Sequence, residues 1–224
     1  MIPPVIKNLI IINVVVFLLQ SFVSFPNFSI ENFFALHDIN SVFFKPHQLV
    51  TYMFLHGSWG HIFFNMFALW MFGSILENYW GGKRFLTFYI LCGVGSALLH
   101  LVILHYQNSH LIQQFNALDP ASRDEVREQV ASQINGATLG ASGAVFGCLA
   151  AFGYLFPNST LIILPFPFPI KAKWFVLFYA GIELYQGIRN SAGDNVAHWA
   201  HLGGAVVGIL IVMYWGKHDR RNFY

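Results

Sequence analysis

The sequence predicts an all-α membrane protein of six transmembrane helices, on three observations. Of 224 residues 56% are hydrophobic and 10% charged, with 24 Phe, a membrane composition. Apolar runs recur near 5–24, 59–80, 84–105, 142–157, 172–190 and 197–215, most of them close to the roughly 20 helical residues that cross a hydrocarbon core of about 30 Å. The basic residues alternate in side. Lys7, Lys83, Arg84, Lys171, Lys173, Lys217, Arg220 and Arg221 fall on one side of such a bundle, with only Lys45, Arg123, Arg127 and Arg189 and most of the acids on the other. Cytoplasmic connections are enriched in Lys and Arg, so both termini are expected in the cytoplasm.

The first run, Leu9 to Leu19 after Lys7, imitates a signal peptide, but no small-residue cleavage site follows, so a retained first span is expected. A first outer loop over 25–58 carries Phe33, Phe34, Phe43 and Phe44 among polar residues, which suits the membrane interface. Spans two and three follow, then an outer insertion over 106–139. Within it Asp119 before Pro120 is an N-cap and first-turn pair, and Val126, Val130 and Ile134 are spaced by four, predicting a short amphipathic helix outside the bilayer. The fourth run is short, and its start, GATLGASGAVFG, is glycine and small residues where a lipid-facing helix carries bulky ones. A glycine-interrupted span points to a site. The run Pro165, Phe166, Pro167, Phe168, Pro169 reads as an inflexible interfacial turn before span five. Residues 1–224 are expected to form a single domain.

Composition also excludes. A net charge of +2 with scattered Lys and Arg lacks the basic stripe of a nucleic-acid protein. Cys92 and Cys148 lie in apolar stretches at no metal-ligand spacing and read as packing residues.

Three elements carry chemistry. Gly140, Ala141, Ser142 and Gly143 place a serine where the chain turns into a helix, whose free N–H groups and positive dipole end can hold an oxyanion. A serine needs a base. Span six offers His198 and His201, three residues apart, with Gly204 and Gly208 forming a small-residue face that allows close packing on span four. On helical spacing either histidine fits. At the start of span two, His61 and Asn65 are four apart and present N–H donors on one face, suited with the Ser142 N–H to an oxyanion hole.

Together these elements resemble the rhomboid family of intramembrane serine proteases: HGSWGHIFFN, GASG and AHLGGAVVG occur in the family's order and in the expected spans. The resemblance covers about residues 5 to 215 and implies a six-transmembrane-helix rhomboid-like bundle. It places the family's HxxxxHxxxN on His56, His61 and Asn65, its GxSG on Gly140, Ser142 and Gly143, and its AHxxGxxxG on Ala200, His201, Gly204 and Gly208. It selects His201 over His198 as base to Ser142, makes His61, Asn65 and the Ser142 N–H the oxyanion donors, and puts Phe146 against the catalytic imidazole. Transmembrane segments of other proteins are the implied substrates, with the lipid bilayer as partner and no cofactor, metal or nucleic acid. A Trp-Arg pair frequent in the family's first outer loop is replaced here by Pro46, His47 and Gln48.

Other residues are expected to serve structure. Asp194 suits a helix cap better than a third catalytic member. Glu77 with Gly81, and Glu183 inside span five, suit helix-to-helix hydrogen bonding, though a carboxylate at the depth of Glu183 can also mark an ion path. A metal or haem site built on some of the ten histidines has no HExxH to support it, and a non-cutting relative or a transporter would not need the serine, base and donors together. The compact core suggests a bacterial cytoplasmic membrane.

Overall fold

The computed structural model describes residues 1–24, 26–163, 166–189 and 197–218. Helix α1 (Pro4–Phe22) begins with proline in its first turn, where the missing N–H costs no hydrogen bond. The first-turn N–H groups of Val5 and Ile6 donate to the two carboxylate oxygens of Glu77 at 2.9 and 2.8 Å. Glu77 therefore caps span one from the far end of span two, which is the helix-to-helix role expected of it.

The chain over 25–58 folds into two short helices, α2 (Ile30–Phe34) and α3 (Gln48–Thr51), the second running into a 3-10 turn at Tyr52–Phe54. The fully buried Gln48 organises it. Its Nε2 lies 2.8–3.2 Å from the carbonyl oxygens of Phe43, Asn32 and Phe33, and its Oε1 accepts from the Lys45 N–H at 3.1 Å. In this chain the loop is anchored by Gln48 where the Trp-Arg pair is missing.

Span two is helix α4 (Trp59–Ala68), a π-helical turn (Leu69–Gly73) and helix α5 (Ser74–Trp80). Ser58 caps it, its Oγ accepting from the His61 N–H at 3.1 Å. Helix α6 (Gly82–Ala117) is 36 residues long and does not stop near 105 as the sequence suggests. Polar residues from His105 onward end the apolar run, but they leave the backbone free to continue its hydrogen bonds. Helix α7 (Pro120–Ile134) follows, capped by Asp119, whose carboxylate accepts from the N–H groups of Ala121 and Ser122. Val126, Val130 and Ile134 are half-buried, no residue of α7 is fully buried, and the helix is polar around most of its circumference, so the expected amphipathic stripe is weak.

Helix α8 (Ser142–Leu155) is the hub of the bundle, with ten of its 14 residues buried. It leads to an antiparallel hairpin, β1 (Thr160–Ile163) and β2 (Phe166–Lys171), with Thr160 opposite Lys171 and Leu161 opposite Ile170. The fold is mostly helical as expected, and this hairpin corrects only the expectation of a plain turn here. Prolines two residues apart, Pro167 and Pro169, put their N atoms on one side of an extended chain and leave the intervening backbone free to pair. Helices α9 (Ala172–Arg189) and α10 (His198–His218) complete the fold.

Helices thus occupy all six stretches the sequence marks, and the protein is a multi-pass membrane protein. Among the described residues four stretches are long and apolar enough to cross a bilayer: Pro4–Phe22, Trp59–Trp80, Gly82–Ala117 and His198–His218. Helix α8 is shorter, and α9 carries Lys173, Glu183 and Arg189. The outward faces are apolar, with Ile11, Val15, Phe63, Phe67, Leu98 and Val102 all exposed, as a lipid solvent requires.

Small residues decide how α8 and α10 meet. A Cβ placed on Gly204 would collide with the carbonyl of Gly143, and one on Gly208 would lie 2.7 Å from the carbonyl oxygen of Gly147. On the other flank of α8, a side chain at Gly147 would strike Cys92, and both cysteines are buried free thiols, used for packing as expected. The backbones approach because nothing stands between them.

Candidate active site

Ser142 is the first residue of α8, so its hydroxyl and N–H sit at the open, positive end of that helix. The turn that delivers it needs glycine at 140. Gly140 has φ +132°, which side-chain-bearing residues rarely adopt, and a Cβ there would lie 2.7–2.8 Å from the ring of His61. Its N–H donates to the carbonyl of Tyr52 at 2.9 Å, and just upstream Thr138 exchanges two backbone hydrogen bonds of 2.8 Å with Leu36. The loop organised by Gln48 therefore braces the strand of chain that enters the site.

His201 comes from the first turn of α10. Its Nε2 lies 2.8 Å from Ser142 Oγ, close enough to accept the hydroxyl proton. Phe146, one turn along α8 from Ser142, stacks on the imidazole with ring centroids 4.3 Å apart and 5° between planes. The stacking fixes the ring plane. Ser96 Oγ of α6 donates to the carbonyl of Ala200 at 2.7 Å, tying the first turn of α10 to a third helix, and a Cβ on Gly143 would displace that same hydroxyl.

The ring of His61 lies beside Gly140: the point where a Cβ would stand on Gly140 is 2.8 Å from His61 Nε2 and 3.6 Å from Ser142 Oγ. The Gly57 N–H donates to His61 Nδ1 at 3.3 Å, so Nδ1 uses its lone pair and the ring proton sits on Nε2, the atom turned toward the site. Asn65 is buried and spends one Nδ2–H on the carbonyl of His61 at 3.1 Å, leaving its second N–H. His56 is buried with its ring 5.1 Å from that of His61, a packing support behind the donor. Of the residues singled out in the sequence, Ser142, His201, His61, Phe146, Gly140 and Gly143 are brought together, while Gly204 and Gly208 follow along α10 where it packs on Gly143 and Gly147 of α8.

Glu183, expected to hydrogen-bond from helix to helix, does so, and its partners lie in the site. Glu183 of α9 is 4% exposed, and its Oε2 accepts from His201 Nδ1 at 2.8 Å and from His198 Nδ1 at 2.7 Å. The signal available was a lone carboxylate in an apolar span combined with the need of a base imidazole for an acceptor at its second nitrogen. Asp194 lies outside the described residues.

A multi-pass helical bundle that sets a glycine-flanked serine at a helix N-terminus against a buried, stacked imidazole defines a class of membrane protein built around a serine–histidine pair. A family model for the rhomboid domain matches residues 44–218. The chain belongs to the rhomboid family. It is 30% identical over 175 residues to Rhomboid protein 1, mitochondrial, of Saccharomyces cerevisiae, covering 76% of this chain and 42% of that protein. It is 30% identical over 221 residues to RHOMBOID-like protein 12, mitochondrial, of Arabidopsis thaliana, covering 98% and 60% respectively. Rhomboid protease AarA of Providencia stuartii is 28% identical over 161 residues, with 71% and 52% covered. The chain spans about half the length of the curated relatives it matches. Two of these three are mitochondrial by name, so the expectation of a bacterial cytoplasmic membrane has no support from them.

Proposed function

We propose that the protein is an intramembrane serine endopeptidase that cleaves transmembrane segments of other membrane proteins. The observation that carries this reading is the 2.8 Å contact between Ser142 Oγ and His201 Nε2 at the N-terminus of α8. Ser142 Oγ attacks the scissile carbonyl carbon while its proton passes to His201 Nε2. The resulting oxyanion is met by the Ser142 N–H, the His61 Nε2–H and the second Asn65 Nδ2–H. Each donor of such a hole contributes about 2.7–4 kcal/mol to the transition state. The His201 imidazolium then returns its proton to the leaving amine, which leaves an acyl-enzyme on Ser142. Water, deprotonated by His201, hydrolyses that ester and restores the hydroxyl.

The depth of the site supports a membrane-embedded substrate. Fourteen residues of α8 rise about 21 Å, less than a hydrocarbon core of about 30 Å. A helix of this length that reaches one boundary begins inside the core, and the exposed Ser58 and half-buried His61 supply the polar surface that water can reach. In this reading the chain is one membrane domain with cytoplasmic termini, and 25–58 and 106–139 lie on the opposite side.

The test is cleavage of a reporter transmembrane segment in lipid vesicles by wild type and by Ser142→Ala. Wild type is expected to cut and the variant to be inert. Undiminished cleavage by Ser142→Ala, or no cleavage of any reporter segment by wild type, would refute the proposal.

A further inference from the structure

Three groups meet on the far side of the imidazole from Ser142: Glu183 from α9, and His198 and His201 from one turn of α10, all buried. Their nearest ligand-type atoms lie within 4.8 Å of one another, which invites a metal. The separations argue otherwise. Tetrahedral zinc with bonds of about 2.0–2.1 Å keeps its ligand atoms roughly 3.3 Å apart, whereas Glu183 Oε2 lies 2.8 Å from one Nδ1 and 2.7 Å from the other, the spacing of charge-assisted hydrogen bonds. The cluster holds protons.

We infer that Glu183 is a positioning residue for the base, the third member of a Ser142–His201–Glu183 line, with His198 fixing its carboxylate. The inference rests on the protease reading above and deepens it. An ionised carboxylate only accepts hydrogen bonds, so the atom of His201 facing it must be Nδ1–H. The lone pair is then on Nε2, and Nε2 faces the Ser142 hydroxyl. With the opposite tautomer, Nε2 would carry the proton and Ser142 would have no acceptor for its own. Phe146 fixes the ring plane from α8 and Glu183 fixes the tautomer from α9, so three helices define one imidazole. During the reaction the serine proton moves to Nε2 and later leaves with the amine. Glu183 keeps its charge throughout and stabilises the imidazolium between those two events. His198, sharing the same oxygen, holds the carboxylate in register and compensates its burial.

The experiment compares wild type, Glu183→Gln and Glu183→Asp with the same reporter segment in vesicles, and records the histidine ring protons of wild type, Ser142→Ala and Glu183→Gln by NMR. Glutamine matches the shape of Glu183 but turns an N–H or a neutral oxygen toward the ring, freeing the wrong tautomer. Glu183→Gln is expected to lower kcat by about 10²–10⁴-fold, with KM changed by less than about twofold because no substrate contact is lost. Glu183→Asp should recover part of kcat. A strongly deshielded Nδ1 proton on His201 should be present in wild type and in Ser142→Ala and missing from Glu183→Gln. A Glu183→Gln protein that cuts at the wild-type kcat, or a His201 whose deshielded proton survives in it, would overturn the inference while leaving the protease reading intact. So would loss of wild-type cleavage on adding a metal chelator. If wild type cuts no segment the protease reading fails, and the Nδ1 proton still decides whether Glu183 holds His201.

Discussion

The bundle where α8, α9 and α10 meet and the insertion of α7 after the end of α6 are built on opposite principles. At the meeting of the three helices the hydroxyl, imidazole and carboxylate groups of the site are spent on another helix. Ser142 reaches His201, His201 and His198 reach Glu183, and Ser96 reaches Ala200, all across distances in sequence that only tertiary packing closes. In α7 the polar groups are spent locally: Asp119 caps its own helix, Arg127 pairs with Asp124 three residues away at 2.7 Å, and Arg123 bonds the carbonyls of Leu118 and Asn116. An exposed pair of that kind contributes little, up to about 1 kcal/mol, while a buried one cannot lose a partner cheaply. The imidazole of His201 is held on several sides by long-range contacts, whereas the insertion joins the rest of the protein at its C-terminal end, where Asn135 meets His37 and Ser41.

The comparison breaks if changes in the two regions cost alike. Of the three changes that follow, His61→Ala should have the largest effect, removing a proposed oxyanion donor and lowering kcat by about 10²–10³-fold without unfolding the protein; a steady-state rate near wild type would remove His61 from the site. Gly204→Val comes next. Its added methyl groups meet the carbonyl of Gly143 where α8 and α10 touch, and overpacking there should cost about 1–3 kcal/mol, read as a lower unfolding midpoint in detergent together with lost cleavage. Asp119→Ala should have the smallest effect. It frays the first turn of α7, seen as faster amide exchange at Ala121 and Ser122, with unchanged cleavage.

A pH titration sharpens the same contrast. The hydrogen bond from the Ser122 hydroxyl, joined by the backbone N–H of Ser122, holds the Asp119 carboxyl below its ordinary value. With the folded-state value depressed, capping is complete above the ordinary carboxylate range and is lost as pH falls through the folded value. The protection of the Ala121 and Ser122 amides, taken relative to their intrinsic exchange rates at each pH, should fall only at acid pH, and loss of that protection at neutral pH would show that Asp119 is not the cap.

What the residues announced in advance followed the same division. The meeting of Ser142 with span six was legible because glycines flank both, but helical spacing left His198 and His201 open and only the family resemblance chose His201, whose Nε2 lies 2.8 Å from Ser142 Oγ. That Glu183 bonds another helix was legible from a carboxylate inside an apolar span, but its partner was not, since one carboxylate has no spacing to read and meets His201 only where α9 lies against α10. The length of α6 was hidden because hydropathy marks where a helix leaves the bilayer and says nothing of where its hydrogen bonds stop. The hairpin before α9 was hidden because alternating prolines look like a stiff turn until one edge of the chain finds Thr160 and Leu161 to pair with.

The most direct test of the serine–histidine account is to treat the vesicle-embedded protein with a fluorophosphonate and locate the adduct by mass spectrometry in wild type and in His201→Ala. The account predicts a single phosphonylated residue, Ser142, in wild type and essentially none in the variant. An adduct on another residue, or equal labelling of Ser142 without His201, would contradict it.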